Sequence, residues 1–423
     1  MFIIYDLVFF IFILVYLPVY LLRGKFHKGF FNRLGILPEH LNLNRPIWIH
    51  AVSVGETISI KELVTQLRKA YPHKRIVIST ITATGNKIAQ GLVGDKDLLI
   101  YLPLDLSFIV KHVLEKINPC IFIIAETEIW PNLISQLYKK KIPIVTVNGR
   151  ISDSSYSGYL AIRYIIRPIL RKINIFLLQS DTDALRLQKL GVAKEKIRVT
   201  GNLKFDINIS AGLELSISEH RTKLMLGRDD RLWVCGSTHA GEEELIIQAY
   251  KELLFVYPKL KLLIAPRHPE RSKDIAVLVN KMKFMPVLVS NLPLAGCAGL
   301  NNSIFILDII GELFNYYACS DIVFIGGSLV KAGGHNILEP ASLKKPVIFG
   351  PYMFNFRDIV DLFIRSDAGM MISDSQGLCL KIKELLSSDL MARNFGERAY
   401  KLTLQHSGVT LRNVGIIKQL NLF

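Results

Sequence analysis

Acidic side chains follow apolar, β-rich runs at two points in the first half of this chain. One is Glu56 in His50-Ala51-Val52-Ser53-Val54-Gly55-Glu56-Thr57, and the other is the pair in Ala125-Glu126-Thr127-Glu128-Ile129-Trp130-Pro131-Asn132. Carboxylates set against an apolar wall can hold or take a proton, so two such loops on one sheet edge suggest acid/base chemistry. Each loop also reads as an ordinary solvated turn, and Glu56 as a helix N-terminal acid favoured by the macrodipole. A different chemistry is written into Gly326-Gly327-Ser328-Leu329-Val330-Lys331-Ala332-Gly333-Gly334-His335-Asn336-Ile337-Leu338-Glu339-Pro340-Ala341, which follows an apolar run. A strand that empties into glycine pairs and then opens a helix is expected to leave backbone N–H groups free for a phosphate. Glu339, about one turn into that helix, is placed to accept from ribose hydroxyls. The alternative is a tight turn that needs glycine for positive φ. Phosphate plus sugar means a nucleotide, and with the acid loops it describes a transferase cleft.

Parallel sheets with crossover helices would position these loops, because such folds carry their chemistry outside the carboxyl ends of the strands. Short β-rich runs recur at Ile47 to Val52, Arg75 to Thr80, Leu98 to Leu102, Cys120 to Ala125, Ile142 to Val147 and Ile175 to Gln179. A second series covers Leu232 to Cys235, Lys261 to Ala265, Met285 to Val289, Ser303 to Leu307, Asp321 to Ile325 and Pro346 to Phe349. Longer helix-compatible stretches separate them, the rhythm of an α/β chain. Two doubly wound parallel-sheet domains facing each other across a cleft are therefore expected, with a polar linker over Asp206 to Arg228. The stretch from about Leu390 to Leu420 reads as helix and is expected to pack back onto the first domain.

With 423 residues and 50% apolar content, the chain can bury two cores. Its formal charge of +16 points to anionic partners. Met1 to Leu22 is apolar apart from Asp6 and Pro18, and roughly 20 such residues span a bilayer as a helix. No Lys or Arg precedes the run and no small-residue site closes it, which fits a retained anchor better than a cleaved signal peptide. Arg23, Lys25, Lys28 and Arg33 follow with no acid before Glu39, and basic flanks mark the cytoplasmic side. Interleaved with Phe26, Phe30 and Phe31, this run also suits nucleic acid, but beside an anchor an anionic membrane surface is the better partner and no nucleic acid is expected. The 5 cysteines are scattered through apolar segments and suggest neither disulfides nor zinc.

From the anchor to near the C-terminus, the chain resembles the 3-deoxy-D-manno-octulosonic acid (Kdo) transferases of lipopolysaccharide synthesis. The resemblance rests on His50 to Thr57, Glu126 to Asn132, Asn148-Gly149-Arg150-Ile151-Ser152, Gly201-Asn202-Leu203-Lys204-Phe205-Asp206 and Gly326 to Ala341. It implies the GT-B architecture: an anchor over 1–22, an acceptor-binding domain over 23–206 and a donor-binding domain over 207–423. It also implies an inverting glycosyltransferase that moves Kdo from CMP-Kdo to the lipid A precursor (lipid IVA) at the cytoplasmic face of the inner membrane. Glu56 matches the family's general base, and Glu126 and Lys204 match the positions that support the transition state.

For the donor, the resemblance points to Arg267 and His268, to Gly311, Glu312 and Leu313, and to Asn336, Ile337, Leu338 and Glu339. These suit a guanidinium on phosphate, backbone groups on the cytosine edge and a carboxylate on ribose. Ser237, at another strand end, could meet phosphate but reads better as a helix N-cap. Asp181-Thr182-Asp183 looks like a metal motif but reads as helix capping, and a single phosphate can be neutralised by cationic side chains and backbone N–H groups. No metal and no cofactor is expected. The rivals are another membrane-anchored GT-B transferase using a different CMP- or UDP-sugar, and a non-catalytic basic protein bound to anionic lipid.

Overall fold

A computed structural model describes residues 5–11, 13–15, 29–38, 41, 43–207, 213–292 and 302–420. The chain divides into two compact units, Met1–Asp206 with Ser407–Phe423, and Ile207–His406.

The first unit is built on β1 (Ile47–His50), β2 (Ile76–Thr80), β3 (Leu98–Tyr101), β4 (Ile121–Ala125), β5 (Ile144–Gly149), β6 (Ile175–Leu178) and β7 (Ile197–Val199). They form a 7-stranded parallel sheet in the order β3-β2-β1-β4-β5-β6-β7. Strands buried on both faces read as continuous apolar runs, and alternation sends neighbouring side chains to opposite sides. Trp48, Val77, Phe122 and Ile124 enter the core on one face. Ile47, Ile49, Ile76, Ile78, Ile121 and Ile123 enter the core on the other.

The second unit holds β8 (Arg231–Thr238), β9 (Leu260–Pro266), β10 (Met285–Leu288), β11 (Ser303–Ile306), β12 (Ile322–Ile325), β13 (Val347–Phe349) and β14 (Met370–Met371). Their order is β10-β11-β9-β8-β12-β13-β14, again a 7-stranded parallel sheet. The strand order reverses between β1 and β4 in the first sheet and between β8 and β12 in the second. At such a switch point the loops diverge to opposite faces and leave a crevice.

The structure departs from the sequence expectations in several places. β7 and β14 were not expected; at 3 and 2 residues they are too short to show periodicity. The supposed linker over Asp206 to Arg228 contains a helix, Leu213–Lys223, whose Arg221 donates to the carbonyls of Cys319, Gly227 and Asp230 within the second unit.

At the N-terminus, no helix among the described residues is long and apolar enough to cross a membrane. The expected anchor and basic run fall partly outside the described residues, at 1–4, 12 and 16–28. In the described part, Asp6 is not a flaw in a lipid-facing helix. Its carboxylate accepts from Ser107 N at 3.0 Å and from Asn132 Nδ2 at 2.6 Å, while Phe9 and Ile13 pack on the first core.

After the second unit the chain re-enters the first, where the helix Val409–Gln419 buries Val409, Val414 and Ile417 in the same core as Leu63 and Leu67. Gly408 precedes this helix and has no side chain to cap it. Asp206 supplies the cap: its carboxylate accepts from Gly408 N at 2.6 Å, Val409 N at 3.2 Å and Thr410 N at 2.5 Å. An N-cap is worth about 1–2 kcal/mol. Asp206→Ala should lower the thermal midpoint of the first unit by a corresponding few degrees; an unchanged midpoint would show that solvent satisfies these donors equally well.

Candidate functional site

In the first unit the chemistry gathers at the β1/β4 switch point. Ser53 caps the short helix Val54–Ser59, its Oγ accepting from Glu56 N. Glu56 reaches back, Oε2 accepting from Val52 N at 2.7 Å and Oε1 from Ser53 Oγ at 2.9 Å. This is a capping box, so the helix-terminus reading of Glu56 is correct as far as it goes. The residue is also buried, and burial first, then the charge of Glu126, raises its proton affinity against the hydrogen bonds from Val52 and Ser53.

Glu126 directly follows β4 in a left-handed conformation at φ +57, a strained backbone state that a non-glycine residue holds only where its surroundings enforce it. Burial raises its proton affinity, while Lys204 and Arg150 oppose the rise and favour the charged form. Glu128 lies beside the same group. Burial, then the charges of Glu56 and Glu126, push it up to about 7. Neighbouring carboxylates in environments that spread their proton affinities are the usual basis for dividing acid, base and electrostatic roles. Glu128 was part of the acidic loop in sequence but was given no role; its spacing from Glu126 is the signal that could have found it.

Lys204 is placed by a chain of amides. Asn148, itself at φ +55 and fully buried, accepts from Leu203 N at 3.0 Å through Oδ1. Asn202 Oδ1 accepts from Lys204 N at 3.0 Å, and Asn202 Nδ2 donates to Gln179 Oε1 at 2.9 Å. His50, at the end of β1, is buried against Ser79, with Nδ1 3.0 Å from its carbonyl oxygen. Desolvation pushes it down to about 4, which keeps it neutral. Asp181-Thr182-Asp183 serves structure: Ser180 caps its helix, and Asp183 accepts from Ile151 N at 2.8 Å. Among the described residues, no group of three or more His, Cys, Asp and Glu side chains could hold a metal ion.

The second unit corrects the reading of the glycine loop. The first N–H groups after β12, those of Gly327, Ser328 and Leu329, are not free. Glu242, fully buried, accepts from Gly327 N at 2.6 Å, Ser328 N at 2.9 Å and Leu329 N at 2.8 Å, and also from His239 N at 2.9 Å. A carboxylate of the protein fills the nest that was expected to take a phosphate. Glycine is needed here for close approach: a Cβ on Gly326 would lie 2.5 Å from the carbonyl oxygen of Ser237. Nor is Ser237 a helix N-cap. It sits inside β8 at φ +59, where the register with β9 shifts.

Of the expected donor residues, Asn336 Nδ2 donates to Glu339 Oε1 at 3.1 Å, and Leu338 N donates to Asn336 Oδ1 at 3.0 Å. Burial raises the proton affinity of Glu339. Ile337 and Leu338 are buried in the core, so they can offer a ligand only backbone. Gly311 is at φ +93, and Glu312 is committed to His220 at 2.9 Å and to Asn315 at 3.0 Å. Leu313 begins the next helix. Arg267 and His268 stand exposed after β9.

Comparison with known proteins bears on this arrangement. Residues 28–207 match the model of the family described as 3-deoxy-D-manno-octulosonic-acid transferase (kdotransferase). The chain is 37% identical to the 3-deoxy-D-manno-octulosonic acid transferase of Haemophilus influenzae, over 95% of this chain and 92% of that protein. The chain belongs to the Kdo transferase family. The enzyme of the same name from Chlamydophila psittaci is 33% identical over 82% of this chain and 79% of that one. The UDP-GlcNAc 2-epimerase of Neisseria meningitidis, solved with UDP-GlcNAc, shares the fold at a TM-score of 0.57 and 15% identity, covering 88% of this chain and 100% of that one. As a member of the Kdo transferase family, the protein is a glycosyltransferase.

Two outcomes follow from the geometry. Glu128, with a folded value of about 7 against an ordinary 4.5, keeps in the native state a proton that the unfolded chain has released within that window. Stability from this group therefore falls as pH rises from 4.5 toward 7. Glu128→Gln should gain thermal midpoint over wild type between pH 5 and pH 8; a constant gap would mean that Glu128 titrates as an ordinary glutamate. Glu242→Ala would orphan the buried N–H groups of Gly327, Ser328 and Leu329, at about 1–3 kcal/mol each, and should strongly destabilise the second unit to urea. A variant as stable as wild type would show that water fills the nest.

Proposed function

We propose that this transferase moves Kdo from CMP-Kdo to the lipid A precursor with inversion, in one in-line displacement. The observation that carries the reading is the group of Glu56, Glu126, Glu128 and Lys204 at one switch point, with Lys204 and Arg150 favouring charge on Glu126 while Glu56 is driven toward higher proton affinity. In this reading Glu56 takes the proton of the attacking acceptor hydroxyl as the new C–O bond forms and the bond to the CMP phosphate breaks. A base poised above the ordinary glutamate range suits that step. Lys204 neutralises negative charge on the departing phosphate or the Kdo carboxylate, and Glu126 stabilises the oxocarbenium-like carbon. The donor is held by the second unit: Arg267 and His268 on phosphate, backbone at Gly311 to Leu313 on cytosine, and Asn336 with Glu339 on ribose. No metal is required, since these cations can balance a single phosphate.

The acceptor brings phosphates and acyl chains, and the work is placed at the cytoplasmic face of the inner membrane. Support comes from the N-terminal segment, where Leu7, Val8, Phe10, Ile11, Leu14 and Val15 expose an apolar face while Phe9 and Ile13 pack inward. The basic residues that follow would meet an anionic surface.

Purified protein in detergent, given CMP-Kdo and lipid A precursor with EDTA present, should yield product of the mass expected for Kdo addition. Glu56→Ala should lower the rate by about 10²–10⁴-fold. Undiminished turnover in Glu56→Ala would remove it as the base, and no product from folded wild type would point to another sugar nucleotide or acceptor.

A further inference from the structure

The imidazoles of His239, His335 and His268 meet beside the glycine loop of the second unit. His239 Nε2 lies 2.9 Å from His335 Nε2, with the rings stacked at 5.2 Å and inclined by 12°. His268 stands edge-on to His239 at 6.3 Å. Gly327, at φ +66, makes room for the pair: a Cβ there would lie 3.1 Å from His335 Cδ2 and 3.2 Å from His239 Cδ2. A nitrogen-to-nitrogen contact of that length is a hydrogen bond in which one imidazole donates and the other accepts. The pair can therefore be neutral or carry one positive charge, but not two.

The guanidinium groups of Arg267 and Arg271 face the pair, with the His268 imidazole, from the segment after β9. The acids at hand are already engaged: Glu243 receives Arg271 at 2.8 Å, Glu242 is taken up by the loop N–H groups, and Glu270 lies 3.7 Å from His268 Nδ1. Burial, then Arg267, His239 and His268, push His335 down to about 4. Burial, then His268 and Arg271, move His239 the same way. These surroundings hold the pair neutral, and an arriving anion would reverse the balance.

We propose that His239 and His335, with Arg267 and His268, form an anion site that takes up one proton from solvent when a negatively charged oxygen group binds. The hydrogen bond between the rings survives the uptake, passing from N–H···N to N–H⁺···N, and the new charge is matched by the anion. This rests on the donor-site reading above and adds to it a proton. A sugar nucleotide offers two such groups, its phosphate and the carboxylate of a sugar acid.

Isothermal titration of CMP, cytidine and free Kdo into the full-length protein, in buffers of differing ionisation enthalpy between about pH 6 and pH 8, tests this. The proteins are wild type, His335→Gln and His239→Gln, each first checked for an unchanged thermal midpoint. Wild type should take up a proton with CMP, with affinity falling by up to about tenfold per pH unit, and none with cytidine. Both variants should lose that excess uptake and flatten the affinity profile. Uptake with Kdo but not with CMP would support the site with the carboxylate as its occupant. Equal uptake in wild type and both variants would assign the proton to the ligand's own phosphate and overturn the proposal, as would no uptake in wild type despite binding. Failure of folded wild type to bind CMP at all would overturn the donor-site reading itself.

Discussion

The buried carboxylate of Glu242, holding Gly327, Ser328, Leu329 and His239 by their N–H groups, is the interaction on which the second unit's chemistry depends. A loop rich in glycine is entropically costly to order and has no side chains to pack. Here its donors converge on one acceptor. The bonds offset a desolvation cost that leaves Glu242 with a raised proton affinity even so. These bonds hold the start of the loop after β12, and farther along Asn336 donates to Glu339.

The same dipeptide does different work at the two switch points. Gly55-Glu56 follows β1, and Gly241-Glu242 follows β8. Glu242 reaches across to the neighbouring strand's loop and is fully buried by it. Glu56 folds back on its own turn, to Val52 and Ser53, and has Glu126 for a charged neighbour. One glutamate is locked by donors, and the other is crowded by like charge. The difference lies in what the adjacent strand delivers: N–H groups after β12, carboxylates after β4.

That difference marks the limit of what the sequence shows. Strands such as β1, β2 and β4 are legible because burial on both faces demands unbroken apolar runs. Glu56, Glu126 and Lys204 stand out because their motifs are long and ordered. Glu242 does not, since three of its four backbone partners, Gly327, Ser328 and Leu329, lie 85 to 87 positions away. Asp206 is hidden for the same reason, bonding to residues 202 to 204 positions on. In both cases a polar group's role is set by a backbone donor that only the folded chain brings near.

Burial moves the titratable groups of the two units in opposite senses. In the first, Glu56, Glu126 and Glu128 crowd together and burial raises the proton affinity of each. In the second, burial first, then neighbours that include Arg267 and His268, drive His239 and His335 toward the neutral form. In the transfer proposed above, a carboxylate of the first unit would receive the proton as an anionic leaving group is set free. Charge development of that kind is stabilised by groups already in place, with no reorganisation needed as the bond breaks. Within the first unit that balance is already partial, since Lys204 and Arg150 favour the charged form of Glu126 against its burial.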